Sequence, residues 1–236
     1  TVDGDPYDYE TILSAYGDQA NSTYGEMQRR TISQSGSSSE YLFTFGANFS
    51  YQFYLGGSLS IQSLKYHRAI THTETDDQQA IYEFDYFKFD DRLTTTGTGM
   101  GLKLGFIYKP IKILRLGGAV HFPVVYRLND DFYSFIEAGY DFPDLQGNSV
   151  YNDQSPDGTY SYRLSTPMHL IASGAIQFGK LGLVSLDYEY TDYTKLRLRG
   201  GEDGYDFVNE NDQIQIAYNG VHTLRAGAEI RLSGMS

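Results

Sequence analysis

The chain has 236 residues, of which 40% are hydrophobic and 15% aromatic, with no cysteine and a formal charge of −12 at neutral pH. No stretch approaches the roughly 18 consecutive apolar residues that a membrane helix requires, and the missing cysteines exclude disulfide frameworks, thiolate metal sites and a cysteine nucleophile. The acidic balance, with no Lys/Arg run, argues against nucleic acid as a partner, because its phosphates would be repelled. A mean hydropathy of −0.42 leaves a β-barrel open, since a barrel strand needs apolar residues only at alternate positions.

Residues 1–40 are polar, and Thr1 to Glu10 is acidic, without the basic start and apolar run of a signal peptide. They are expected to be an extracellular loop segment in which Tyr9 to Ala20 could form a short helix. From Tyr41 to Tyr51 the odd positions carry Tyr41, Phe43, Phe45, Ala47, Phe49 and Tyr51 against Thr44, Gly46, Asn48 and Ser50, the period of two that marks a strand. The run Leu55 to Ile70 starts in the same phase and then slips near Gln62 and Ser63, which predicts a β-bulge and puts Leu64 and Tyr66 on the apolar side. Thr98 to Tyr108 sets Met100, Leu102, Leu104 and Phe106 against Gly99, Gly101, Lys103 and Gly105. Leu114 to Tyr126 reads as one strand with even positions apolar, Tyr160 to Phe178 as another with Tyr160, Tyr162, Leu164 and Leu170 on the apolar side, and Val184 to Tyr190 and His222 to Leu232 complete seven runs. Pro167 inside the fifth run cannot donate to a ladder, so a kink or pairing gap is expected there.

Connection lengths alternate as the strands do. Gln52-Phe53, Pro110-Ile111-Lys112 and Gly179-Lys180 are tight hairpins, whereas 71–96, 127–159 and 191–220 are long polar segments, expected as extracellular loops. Short turns on one rim and long loops on the other are the pattern of bacterial outer-membrane barrels, with the short turns periplasmic. Residues 41–232 are therefore read as an all-β, antiparallel transmembrane barrel, partial at about seven strands, in the outer membrane of a Gram-negative bacterium. Thr1 is expected to lie within an extracellular loop of a longer chain.

Several segments carry a family likeness: Tyr41-Leu-Phe-Thr-Phe-Gly-Ala-Asn-Phe-Ser50, Gly101-Leu-Lys-Leu-Gly-Phe-Ile-Tyr-Lys-Pro110, Leu114-Arg-Leu-Gly-Gly-Ala-Val-His-Phe-Pro123 and Leu224-Arg-Ala-Gly-Ala-Glu-Ile-Arg-Leu232. With Tyr162 to Met168 and Phe178 to Tyr190, they resemble the outer-membrane hydrophobic-compound transporters, the FadL-like long-chain fatty-acid and aromatic-hydrocarbon channels. The resemblance implies a 14-stranded monomeric barrel with an internal hatch and passive uptake of a small hydrophobic ligand, released sideways into outer-membrane lipid. The family's hatch would precede Thr1, so no hatch residue is carried over. Members also include adaptor barrels of secretion systems, so a secretion or lipid-handling adaptor, binding a protein partner through its long loops, stands as the alternative.

The candidate channel residues are the charges on the expected lumen side: Lys103, Arg115, His121, Arg163, His169, Asp187, Glu189, Arg225 and Glu229, with Arg231 beyond them. They could guide a carboxylate headgroup, or they could be a structural ladder in a wet lumen, since an unpaired charge in low dielectric is costly. Pro123 and Pro167 are the candidate wall kinks. No cofactor or metal is expected, because no metal-ligand spacing occurs. A barrel hydrolase using His67, His72, Asp76 and Asp77 is the reading from another class, but no nucleophile motif supports it, and the chain is not expected to be an enzyme.

Overall fold

A computed structural model describes residues 27–231 apart from 80, 82, 180 and 202, so the helix considered over Tyr9–Ala20 lies outside the described residues. The described chain is mostly antiparallel β-sheet. Its strands are β1 (Met27–Phe49), β2 (Phe53–Thr75), β3 (Tyr86–Ile111), β4 (Leu114–His121), β5 (Val125–Gly139), β6 (Val150–Gln154), β7 (Gly158–Ser165), β8 (His169–Gln177), β9 (Gly182–Asp192), β10 (Arg197–Arg199) and β11 (Gly220–Ile230). One α-helix, α1 (Val208–Ala217), precedes β11, and no described helix is long and apolar enough to cross a membrane. All strands belong to one sheet ordered β10-β7-β5-β3-β4-β8-β9-β11, with β2 on β3, β1 on β2 and β6 on β5.

The chain divides into two compact units, one of Thr1–Ser35, His67–Thr94 and Asp131–Gly158, the other of Gly36–Tyr66, Thr95–Asp130 and Thr159–Ser236. In the second unit the period-two pattern becomes two chemically distinct faces. Across β3, β4, β8, β9 and β11, Leu104 opposes Val120, Val120 opposes Leu170, Leu170 opposes Tyr190, and Tyr190 opposes His222. One residue along, Lys103 opposes His121, which opposes His169, which opposes Thr191. The first set lies on an apolar face and the second on a polar face, because successive side chains of a strand point to opposite sides. Among the described residues of this unit Leu128 and Phe207 are the large apolar side chains that are buried, whereas Phe45, Leu104, Leu116, Leu170, Val184 and Leu224 are all exposed. The apolar side chains are thus displayed and not enclosed.

Three expectations need correction here. The first is the bulge in β2. Gly57 faces Leu104 and Ser60 faces Gly101 with one offset, and exposure continues to alternate through Ile61, Ser63 and Lys65. Leu64 and Tyr66 therefore stay on the polar-face phase; two apolar residues among polar ones look like a phase slip in sequence, but unbroken pairing with β3 outweighs them.

The second correction concerns the two long runs containing proline. Leu114 to Tyr126 is interrupted at 122–124 and Tyr160 to Phe178 at 166–168. Neither Pro123 nor Pro167 has an N–H for the ladder. The pairing is patched by Phe122 N–H donating to the Leu102 carbonyl at 2.9 Å, Val124 N–H to Thr166 Oγ1 at 2.9 Å and Thr166 N–H to the Val124 carbonyl at 2.9 Å. His121 and Val124 both lie on the polar face with two residues between them, the geometry of a bulge, so the phase reverses. The same reversal occurs between Thr166 and His169, which oppose Val124 and His121. Val124, Tyr126, Tyr160, Tyr162 and Leu164, expected on the apolar side, therefore share the polar face with Lys103. Gly97 and Gly99 leave room for β5 against β3, because a Cβ on Gly97 would meet the Arg127 carbonyl oxygen at 2.8 Å and one on Gly99 would meet the Tyr126 ring at 2.7 Å.

The third correction is strand length. The expected loops at 27–40, 71–96 and 127–159 are strand over much of their length, because a strand bathed in water needs its ladder but no apolar face, whereas 191–220 keeps only short strand pieces and carries α1. In the first unit polar side chains bridge neighbours instead: Gln28 to Glu74 at 3.2 Å, Arg68 to Asp91 at 3.1 Å and Tyr86 to Glu137 at 2.9 Å. The tight turns remain short, at 50–52 and 112–113, with the third after Phe178. Ser50 and Tyr51 both have positive φ, 54° and 57°, as the twist of a tight hairpin demands.

Candidate functional site

The polar face of the second unit gathers polar and ionisable side chains into one row across eight strands. Glu40 on β1 accepts from Lys103 Nζ on β3 at 2.8 Å and from Gln62 Nε2 on β2 at 3.0 Å. Tyr126 on β5 donates its hydroxyl to the Gln62 amide oxygen. His121 on β4 stands next to His169 on β8, ring centroids 6.1 Å apart. His169 Nδ1 lies 2.9 Å from Glu189 Oε1 and 2.9 Å from Thr191 Oγ1, both on β9. Arg225 on β11 donates to the other Glu189 oxygen at 2.9 Å.

Register explains why these side chains meet. Lys103, His121, His169 and Thr191 are directly opposed along consecutive ladders, and Glu189 and Arg225 follow on the same face. Their charges are internally compensated: Lys103 is matched by Glu40, and Arg225 by Glu189. This compensation is what partly buried charges require, since desolvating an unmatched one is costly. His121 makes no hydrogen bond to any described residue, its ring contact with His169 aside.

The row borders the two proline interruptions. A cavity of about 240 Å³ is lined by Glu40, Gln62, Lys103, His121, Tyr126 and His169 together with Leu102, Phe122, Val124 and Thr166. It therefore sets hydrogen-bonding groups beside Val124 at the point where β4 passes to β5 and the chain between β7 and β8 leaves the ladder.

The other expected site residues are dispersed. Arg115 opposes Ala175, and Asp187 opposes Ser173 and Arg225, so both share the polar face but lie toward the tight turns. Glu229 opposes Leu183 and pairs at 2.9 Å with Arg231, just past the end of its strand. Arg163 is a correction: beyond the phase reversal it lies on the opposite face from Lys103, exposed and directly across from Arg199. His67, His72 and Asp76, in the first unit, are held separately by Thr94 at 3.0 Å, Glu74 at 2.8 Å and the Ile81 N–H at 2.6 Å. Among the described residues no group of three His, Asp or Glu converges closely enough to hold a metal ion.

Glu40, Gln62, Tyr126 and Thr191 belong to the row without having been singled out from sequence. Glu40 occupies the even phase one step before Tyr41, so extending the first alternation backward reaches it. Tyr126 was hidden by the reversal, for which Pro123 is the available signal. No family model, no curated protein and no solved structure matches the chain.

Proposed function

We propose that this chain forms part of an outer-membrane β-barrel that passes small hydrophobic molecules, its apolar face against lipid and its polar face toward a lumen. The observation that carries the reading is the apolar face itself. Phe45, Leu55, Leu104, Phe106, Leu116 and Leu170 stand exposed on contiguous strands, a contiguous apolar patch of the kind that marks an interaction or membrane surface. Lipid is the solvent that such a face suits, and closed barrels are the β architecture that meets it.

The bordering cavity supports transport of an amphipathic or apolar molecule over an open aqueous pore. It offers imidazole, amide and phenol groups with the apolar side chain of Val124 beside them, a combination that suits a ligand with a polar end and an apolar body. The resemblance to FadL-like channels points the same way. The candidate roles are positioning by His121 and Tyr126 and charge balance by Lys103 with Glu40 and Glu189 with Arg225; no catalysis is assigned.

The test is reconstitution of the full-length protein in liposomes. Saturable binding of a long-chain fatty acid, weakened when His121→Phe and Tyr126→Phe are combined, together with slow sugar entry, is the expected result. Rapid sugar flux with no bound fatty acid would replace the reading with a general porin, and absence of both with copurification of a protein partner would replace it with an adaptor.

A further inference from the structure

The phase reversal that removes Arg163 from the polar row places it in a different cluster. Thr166 N–H donates to the Val124 carbonyl at 2.9 Å and Ser161 Oγ meets Asn129 Oδ1 at 2.9 Å, a register that sets Arg127 on β5 opposite Arg163 on β7. Arg163 in turn opposes Arg199 on β10. Three arginines thus stand side by side on adjacent strands, on the same side of the sheet as the apolar face. Lys65 on β2 and Arg127 and Arg163 line one shallow groove of about 750 Å³ with Asn129, Ser161 and Thr98. All four cations are exposed, and none forms an ion pair or hydrogen bond with any described residue. In a chain of net charge −12, an unmatched cationic row needs an explanation, because like charges on neighbouring strands repel.

Position supplies one. On β3 the exposed apolar positions run from Tyr108 through Phe106, Leu104 and Leu102 to Met100, and Thr98, at the level of Arg127, is the first polar residue after them. From Tyr108 to Thr98 the strand rises roughly 33 Å along its own axis, which at the tilt of roughly 35–45° found in outer-membrane barrels spans roughly 25 Å, the height of their apolar band. The arginine row therefore sits where that band ends, at the rim away from the tight turns.

We infer that Arg127, Arg163 and Arg199, with Lys65, form a binding site for the phosphate groups of an anionic outer-leaflet glycolipid, with Asn129, Ser161 and Thr98 as hydrogen-bonding partners. Guanidinium forks match phosphate oxygens two bonds at a time, and weak hydration makes arginine suited to this interfacial position. Lipid is favoured over free phosphate because the row adjoins the face that would hold the acyl chains of the same molecule. The inference rests on the barrel reading.

The test uses the full-length protein in phosphatidylcholine vesicles doped with either doubly phosphorylated or dephosphorylated lipid A, followed by mild extraction and mass spectrometry of the retained lipid. Phosphorylated lipid A should be retained roughly tenfold over the dephosphorylated form, and the Arg127→Gln, Arg163→Gln, Arg199→Gln triple variant should lose that preference. Arg163→Gln alone, exposed and unpaired, should lose part of it while leaving folding intact by heat-modifiable gel mobility. Insertion with no phosphate preference would overturn the site and leave the barrel standing. Failure to insert into any vesicle would overturn both. Complete displacement of lipid A by millimolar inorganic phosphate would overturn the lipid assignment in favour of a free-anion site.

Discussion

The Tyr126 hydroxyl donates to the Gln62 amide oxygen across β3, which places Tyr126 on the face that carries Lys103 even though an unbroken alternation from Leu114 would put it on the other. One extra residue at Phe122-Pro123 accounts for the difference. The same reversal carries Arg127 and Arg163 to the side of the sheet that bears the apolar face.

A direct check is a pair of nitroxide or fluorescent labels on either side of the reversal. Labels at Val125 and Leu170 should be quenched by brominated lipid tails, and labels at Val124 and Leu164 should not. Quenching at Val124 in place of Val125 would restore the unbroken alternation.

The two faces should also differ in the cost of an introduced charge. Leu170→Arg, on the apolar face, should destabilise the barrel in lipid vesicles by about 2–4 kcal/mol, the range for arginine at a bilayer midplane. Ser173→Arg, on the polar face and opposite Asp187, should cost far less. Denaturant titration of the reconstituted protein reads both, and equal costs would sink the membrane assignment.

Asp90 makes the first unit sensitive to acid. Burial alone would raise its carboxyl, but the Thr71 hydroxyl, the Lys88 ammonium at 3.0 Å and the Arg92 guanidinium at 3.5 Å outweigh it and hold the group below the usual carboxylate range. A carboxyl lowered in the folded state contributes stability that is present above the unfolded value and lost as pH falls through the folded one. Asp90→Asn should therefore destabilise β2 and β3 near this site by roughly 1–3 kcal/mol at neutral pH, with the difference from wild type shrinking below the carboxylate range. Hydrogen exchange of the β2 and β3 amides across pH measures it; a difference that persists undiminished in acid would remove Asp90 as its source.

Topology has an independent readout. Gly147 sits at a turn in which Asp144 accepts from the Gln146 and Asn148 amides, both at 2.8 Å, and Asp203 lies in the segment before α1. Epitopes inserted after Gly147 or Asp203 should be labelled on intact cells, and one after Lys112 should not, because exposed loop tips accept insertions. Labelling only at Lys112 would invert the proposed orientation and move the arginine row to the inner leaflet.

Side-chain alternation is a local property, and so the sequence by itself determined that the chain is antiparallel β, where its tight turns lie, and which face of β1, β3, β4, β8, β9 and β11 is apolar. Each of those follows from a period of two read within one strand. It also brought Lys103, His121, His169, Glu189 and Arg225 forward as candidates, because each is a charge or imidazole in an otherwise apolar alternation. What only the tertiary structure decided depends on pairing between strands. The length of β1 beyond Tyr41, the unbroken phase of β2 past Gln62, the reversals at Pro123 and Pro167, and the separation of Arg163 from the polar row are all set by the register with a neighbour. A residue's flanking sequence can mark where pairing is disturbed, as Pro123 and Pro167 do, but not which neighbour the chain then meets. Glu40 and Tyr126 join the site for the same reason: β1 and β5 bring them to Gln62 from positions 22 and 64 residues away along the chain, and only the ladders on β2 and β3 make those positions adjacent.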